Sequence, residues 1–157
     1  MSAPAIAVLY RFAYNTLGRN LEGVTDAESV IPPGPAGNCA NWLVGHLLWT
    51  RDFVHGLLGL GPAWPPQLGS SQPYSRGSTG FVAADAIALT KLREALASSQ
   101  DQVMTALGNI GEARLAERAT DTQTVGERLA FLGFHEGYHV GQIGLVRRLL
   151  GKAGAIP

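Results

Sequence analysis

Apolar positions recur at three- and four-residue steps through most of this chain, and no strand pattern of useful length appears. The pattern predicts an all-α protein of four helices. In the first, over 4–22, Ile6, Tyr10, Ala13, Leu17 and Leu21 form the apolar stripe, and Gly23 ends it. Ile31 to Gly37 must be a loop, because Pro32, Pro33 and Pro35 cannot sit in a helix interior. A second helix is expected over 38–59, with Asn38 as its N-cap. A third covers 83–108, with Ile87, Leu92, Leu96, Val103 and Leu107 on one face and Gly108 near its end. A polar link over 109–122 leads to the fourth, which begins after Thr122 or Thr124 and runs to about Leu150. Thr124 followed three residues later by Glu127 is a capping-box pattern. Gly151 fits the position just past the C-terminus, where Arg147, Arg148 and Lys152 complement the helix dipole.

The connection over 59–81 is long for a compact domain and rich in Gly, Pro and Ser. If the second and third helices run parallel, this segment must travel the length of the bundle, on the order of 30 Å for a twenty-residue helix. It can also cap a pocket at the bundle end.

With 157 residues the chain is expected to form one domain over 1–157. A charged fraction of 15% is low, which points to apolar surface covered by a second copy and hence to an oligomer. Twelve basic and twelve acidic residues cancel, and no basic stripe appears, so nucleic acid is not an expected partner. No stretch is long and apolar enough to span a bilayer, so no membrane partner is expected. The first ten residues lack the basic region of a signal peptide and are read as a helix start. A single cysteine, Cys39, excludes an intrachain disulfide and fits a reducing, cytoplasmic setting.

The chemistry concentrates in the fourth helix. His135 and His139 are four residues apart, so their rings lie about 40° apart on one face, one turn from each other. His46 sits at the centre of the apolar face of the second helix, with Trp42, Leu43, Trp49, Thr50, Phe53 and Leu57 within about 60° of it. His55, about 180° from His46, is expected to face solvent or a partner chain and is excluded from the site. A lone histidine on an apolar face is more often a packed core residue than a ligand. Three of four histidines on inward faces shift the balance to a metal site. Three imidazoles are one ligand short of a closed structural zinc site and match a catalytic divalent-metal site. Such a site acidifies water or seats a thiolate or carbonyl. Imidazole suits Zn, Ni, Cu or Fe, and the sequence does not choose among them.

His135-Glu136-Gly137-Tyr138-His139 is also a literal H-E-x-x-H, in which Glu136 would be the general base of a zinc peptidase. That chemistry requires a third ligand downstream. After His139 there is neither an acidic residue nor a histidine, and no substrate-binding sheet is predicted. The peptidase reading is therefore set aside. Glu136, about 100° round from His135, stays a candidate catalytic base, a partner for an imidazole N–H, or a solvated residue. Tyr138, Gln142 and Arg128 flank the histidines and are candidate substrate- or cofactor-binding residues. Asn41, about 140° from His46, suits a cap or partner role better than a ligand. Cys39, Trp42 and Trp49 read as core.

Asn41-Trp42-x-x-x-His46-x-x-Trp49, together with His135-x-x-x-His139-x-Gly141-Gln142-Ile143 and Arg147-Arg148-x-x-Gly151, resembles the DinB / YfiT-like family of four-helix-bundle metalloproteins. Tyr74-x-Arg76-Gly77 adds to the likeness, which covers essentially the whole chain. The resemblance implies an up-down-down-up bundle and a divalent metal, most often zinc or nickel, on His46, His135 and His139. It also implies a homodimer. Relatives include enzymes that use low-molecular-weight thiols, mycothiol or bacillithiol, as S-transferases or as the maleylpyruvate isomerase. The expected function is thus a metal-dependent, thiol-dependent S-transferase or isomerase acting on a small electrophile. A metal-dependent hydrolase with water as nucleophile and a non-catalytic metal-binding bundle are the alternatives.

Overall fold

The structure is a computed structural model that describes residues 2–35, 37–78 and 81–156. Among the described residues six α-helices occur in the order α1 (Ala3–Asn20), α2 (Asp26–Ser29), α3 (Ala40–Leu58), α4 (Leu89–Asn109), α5 (Glu112–Ala116) and α6 (Val125–Leu149). Four of them are long, and no strand occurs among the described residues, as the periodicity predicts.

Cross-bundle hydrogen bonds fix the helix directions. Tyr10 Oη donates to the Leu129 carbonyl at 2.8 Å, and Asn20 Nδ2 to the Val140 carbonyl at 2.9 Å, so α1 and α6 run parallel. Arg51 meets Glu136 while His46 meets His139, so α3 runs against α6. Asn41 Nδ2 reaches the Ile87 carbonyl and Arg51 Nη2 reaches Gln100 Oε1, each at 2.8 Å, so α3 and α4 run parallel. The result is the expected up-down-down-up bundle, in which α1 packs on α4 and α6 and α3 packs on the same two. The long connection after Gly59 is the geometric cost of two consecutive parallel helices.

Ends differ from expectation where tertiary contacts replace local capping. Helix α3 begins at Ala40 with Cys39 at the N-cap, and Asn38 makes no cap. Gly59 closes that helix at φ 71°, a conformation that favours glycine. Helix α4 starts six residues later than its apolar stripe suggests. Ala83–Asp85 form a short 3-10 turn, and extended backbone follows at Ala86. The Ile87 N–H donates to Tyr74 Oη at 2.9 Å, and the Leu89 N–H to Asp26 Oδ1 at 2.7 Å. Thr124, not Thr122, caps α6, with the Glu127 capping box. At its far end Arg147 Nη1 reaches the Asn20 carbonyl at 3.2 Å, so it neutralises the C-terminal dipole of α1.

The apolar core falls into two clusters. One packs Leu17, Leu43, Leu47, Leu92, Leu96 and Ile143; the other packs Ile6, Tyr10, Val54, Val103, Leu129 and Leu132. Between them lies a polar layer with one residue from each long helix. Arg51 is buried and forms a two-point ion pair with Glu136; its Nη2 lies 2.9 Å from Glu136 Oε2 and 2.8 Å from Gln100 Oε1. The guanidinium lies 5.1 Å from the centroid of the Tyr10 ring, within cation–π range.

Candidate metal centre

Helix α6 carries His135 and His139 on successive turns, with ring centroids 4.4 Å apart. Helix α3 presents His46 from the other side, 5.3 Å from the His135 ring and 5.0 Å from the His139 ring. One nitrogen from each of the three lies within 4.8 Å of the other two. His135 Nε2 and His139 Nε2 are 3.0 Å apart. Two nitrogens bound about 2.1 Å from one ion stand roughly 3.0–3.4 Å apart for bond angles from right-angled to tetrahedral. The donor spacing therefore fits a shared divalent ion.

Two of the three rings are held in the tautomer that coordination needs. His46 Nδ1 lies 2.8 Å from the Tyr74 carbonyl, which can only accept, so Nδ1 carries the proton and Nε2 the lone pair. His139 Nδ1 donates in the same way to Gln142 Oε1 at 2.6 Å. Gln142 Nε2 in turn donates to Tyr138 Oη at 3.3 Å, which orients the amide. His135 Nδ1 is buried and has no partner. The His46 ring is clamped between Trp42, at 4.6 Å and 9° between planes, and Trp49, at 5.4 Å and 21°.

The surroundings keep all three imidazoles neutral. Burial pushes the His135 pKa down to about 4, assisted by His139 and His46 and by the positive fields of Arg128 and Arg76. Burial also lowers His46 and His139, against the opposing hydrogen bonds to Tyr74 and Gln142. Three neutral imidazoles with converging lone pairs are the donor set a divalent metal requires. No cysteine or carboxylate joins them among the described residues.

The remaining candidates divide. Glu136 is buried, not solvated, and both its oxygens engage Arg51. Burial raises its pKa, and the Arg51 guanidinium opposes that. Tyr138 is 57% exposed with its ring edge-on to His139 at 5.1 Å, so it borders the site on the solvent side. Arg128 is half-buried, with its guanidinium 5.2 Å from the Phe131 ring centroid and Nη1 3.3 Å from Gln123 Oε1. Trp42 and Cys39 are core as expected, whereas Phe53 is exposed.

One expectation is overturned. His55 faces neither solvent nor partner: it is fully buried, with Nδ1 2.7 Å from the Gly61 carbonyl and Nε2 2.8 Å from Ser99 Oγ. The face opposite His46 is covered by the start of the 59–81 connection and by α4. Asn41 caps nothing on its own helix; it joins Ile87, Ser29 and Tyr74 instead.

Two contributors escaped the periodic pattern. The Tyr74 carbonyl orients His46 from inside the Pro/Gly-rich connection, where backbone groups leave no signal in side-chain spacing. Gly45 admits that connection. A Cβ at Gly45 would overlap the Tyr74 ring, which lies directly on the α3 backbone.

Fold and site together define a helical bundle with a three-histidine centre between two antiparallel helices. The DinB superfamily model matches residues 9–143, and the chain belongs to that superfamily. No curated protein matches it. Among solved structures, the crystal structure of a conserved protein from Enterococcus faecalis has a TM-score of 0.77 and 22% identity. That likeness covers 97% of this chain and 99% of the other, and it shows the fold. No described helix is long and apolar enough to cross a membrane.

Proposed function

We propose that the chain binds one divalent metal ion, zinc or nickel, on His46, His135 and His139 and uses it to activate a small thiol against an electrophilic small molecule. The observation that carries this reading is the convergence of the three imidazoles, two of them locked as Nε2 donors by Tyr74 and Gln142. When bound, such an ion stabilises a thiolate or polarises a carbonyl. The protein's own contribution is orientation. Trp42 and Trp49 fix the His46 plane, Gln142 fixes the His139 tautomer, and Tyr138 borders His139 on the solvent side, where a substrate would enter. Three protein ligands, fewer than the four of a closed structural zinc site, favour chemistry over a purely structural ion. Glu136 stands aside from this mechanism, because its oxygens are taken by Arg51.

The test is elemental analysis of protein purified without a nickel column, for wild type and His139→Ala, paired with calorimetric titration of low-molecular-weight thiols. One metal per chain, lost in the variant, and thiol binding that requires the metal support the reading. Metal without thiol affinity, but with turnover of an ester or amide, moves the assignment to a hydrolase with water as nucleophile. Metal whose removal unfolds the chain, with no ligand affinity, moves it to a non-catalytic bundle. The homodimer that the family resemblance implies, with the oligomer that the low charged fraction suggests, belongs to this proposal as well. Phe12, Phe134 and Leu145 are each more than half exposed, and sedimentation velocity that shows only monomer rejects that part.

A further inference from the structure

The three histidines come from two helices, so their convergence depends on how α6 is turned against α3. An imidazole lies about 5–6 Å from the axis of its helix, and a turn of about 10° moves that ring about 1 Å. A metal centre needs its ligands within roughly 0.5 Å of their binding positions. Apolar burial is non-directional, whereas a two-point ion pair fixes both distance and angle. One such contact spans the two helices. Arg51 Nε and Nη2 donate to the two oxygens of Glu136, Nη2 at 2.9 Å, and no other side-chain hydrogen bond joins α3 to α6 among the described residues. Glu136 is one residue past His135 and about 100° round α6; Arg51 is five past His46 and about 140° round α3. In an antiparallel pair these rotations turn toward the same side, so the ion pair lies on the core flank of the seam that the histidines occupy. Gln100 Oε1 accepts from Arg51 Nη2 at 2.8 Å and fastens the guanidinium to α4. The remaining nitrogen, Arg51 Nη1, is buried with no partner among the described residues. Both charges have left water and one donor is unsatisfied, so the layer is a weak source of stability. Its geometry is that of a fixed reference between the helices.

We propose that Arg51 and Glu136 are positioning residues for the metal centre: their buried two-point contact sets the rotation of α6 against α3 at which His46, His135 and His139 converge on one ion. This role rests on the metal-centre reading and adds to it the pair that holds the ligands in register. Neither residue touches the ion or a substrate. The pair acts through the backbone of α6, where Glu136 is covalently next to His135, and through α3, where Arg51 lies just over one turn from His46.

Arg51→Met combined with Glu136→Leu removes both charges and strands neither. Stability is read by urea unfolding of the metal-free protein, and zinc affinity by competition with a chromophoric chelator. The expected result is a double variant no less stable than wild type that binds zinc about tenfold more weakly, the scale for residues that orient metal ligands. Arg51→Lys keeps the charge and gives up the fork, so it should fold and also lose affinity. If the double variant does not fold, Arg51→Lys alone decides. Leu107→Ala, in the other core cluster, is the control: it should lose stability and keep zinc affinity. A loss of affinity in Leu107→Ala that parallels its loss of stability would trace the effect to stability and overturn the proposal. Wild-type affinity in both the double variant and Arg51→Lys overturns it as well. Wild-type protein without stoichiometric zinc rejects the metal-centre reading itself; stoichiometric zinc with an affinity indifferent to the ion pair rejects the positioning role alone.

Discussion

Arg51 and Glu136 meet at the centre of the bundle in a two-point ion pair, with Nη2 2.9 Å from Oε2 and neither side chain more than 4% exposed. Glu136 directly follows the candidate ligand His135, so the pair grips α6 where the three histidines meet. Buried pairs of this kind bring little net stability, because desolvation offsets the attraction, but breaking one strands a charge. Glu136→Leu or Arg51→Met alone should destabilise the protein by about 3–5 kcal/mol in urea unfolding. The double variant should recover to near wild type, or exceed it by about 1–4 kcal/mol. Additive losses in the double variant would show that the two residues act independently and would reject the coupling assigned to the pair.

Gly45→Ala is the next prediction. In a helix interior this change ordinarily stabilises by about 0.5–1 kcal/mol. Here the new Cβ meets the Tyr74 ring, which is buried and hydrogen-bonded to Asn41 at 2.9 Å. Overpacking at a rigid ring should cost about 1–3 kcal/mol and displace the Tyr74 carbonyl from His46. Lower thermal stability together with weaker metal binding is expected. An unchanged metal affinity would detach the 59–81 connection from the site.

The contrast between the histidines shows what sequence can tell. His46, His135 and His139 were legible because helical spacing converts position into direction, and three directions converged. The same arithmetic misplaced His55. Rotation about a helix axis gives the side on which a residue lies, not what covers that side. His55 is covered by Gly61, from a segment with no periodicity, and by Ser99, a polar residue on the α4 flank. Arg51 was missed for a related reason. A charged residue 180° from no landmark, near the middle of an apolar helix, acquires its meaning only from Gln100 and Glu136 on two other helices. The start of α4 was misplaced because its first backbone donors are met by Asp26 and Tyr74 from distant segments, and neither makes a local capping signature.

His55→Ala tests the structural role assigned to that residue. It removes a satisfied imidazole and leaves its two partners, the part-buried Gly61 carbonyl and the buried Ser99 hydroxyl, without it. A loss of about 1–3 kcal/mol is expected. Metal stoichiometry should be unchanged, since His55 lies on the far side of α3 from His46. A drop in metal content in folded protein would contradict that separation.

Glu28 supplies a pH prediction free of the metal. Its carboxylate accepts from the Thr25 N–H at 2.8 Å and lies 2.9 Å from Lys152 Nζ, linking α2 to the segment after α6. The Thr25 backbone hydrogen bond, then Lys152, lower its pKa to about 2. The folded state thus binds the proton less readily than the unfolded chain. The stabilisation is complete above the ordinary carboxylate range near 4.3 and is lost as pH falls toward about 2. NMR titration of Glu28 should give a depressed midpoint, and Lys152→Ala should raise it. A midpoint near the ordinary value in wild type would reject the link.

Gln142 separates orientation of a ligand from ligation itself. Its Oε1 holds His139 Nδ1 at 2.6 Å, while its own amide is steered by Tyr138 at 3.3 Å. Both side chains lie on the solvent-facing border of α6, so Gln142→Leu should fold normally. Without the acceptor, His139 is free to place its proton on Nε2, the atom that faces His135 across 3.0 Å. A proton there blocks the lone pair, and the site must restore the tautomer each time it binds. Removal of such an orienting partner typically lowers metal affinity about 10–100-fold. Competition with a chromophoric chelator should show that loss in Gln142→Leu. Gln142→Glu, which keeps the acceptor and adds charge, should retain or raise affinity. Tyr138→Phe should fall between wild type and Gln142→Leu, because it frees the amide without deleting it. If Gln142→Leu and Gln142→Glu weaken binding equally, the acceptor is not what prepares His139, and burial against Trp42 and Trp49 on the His46 side must organise the centre alone.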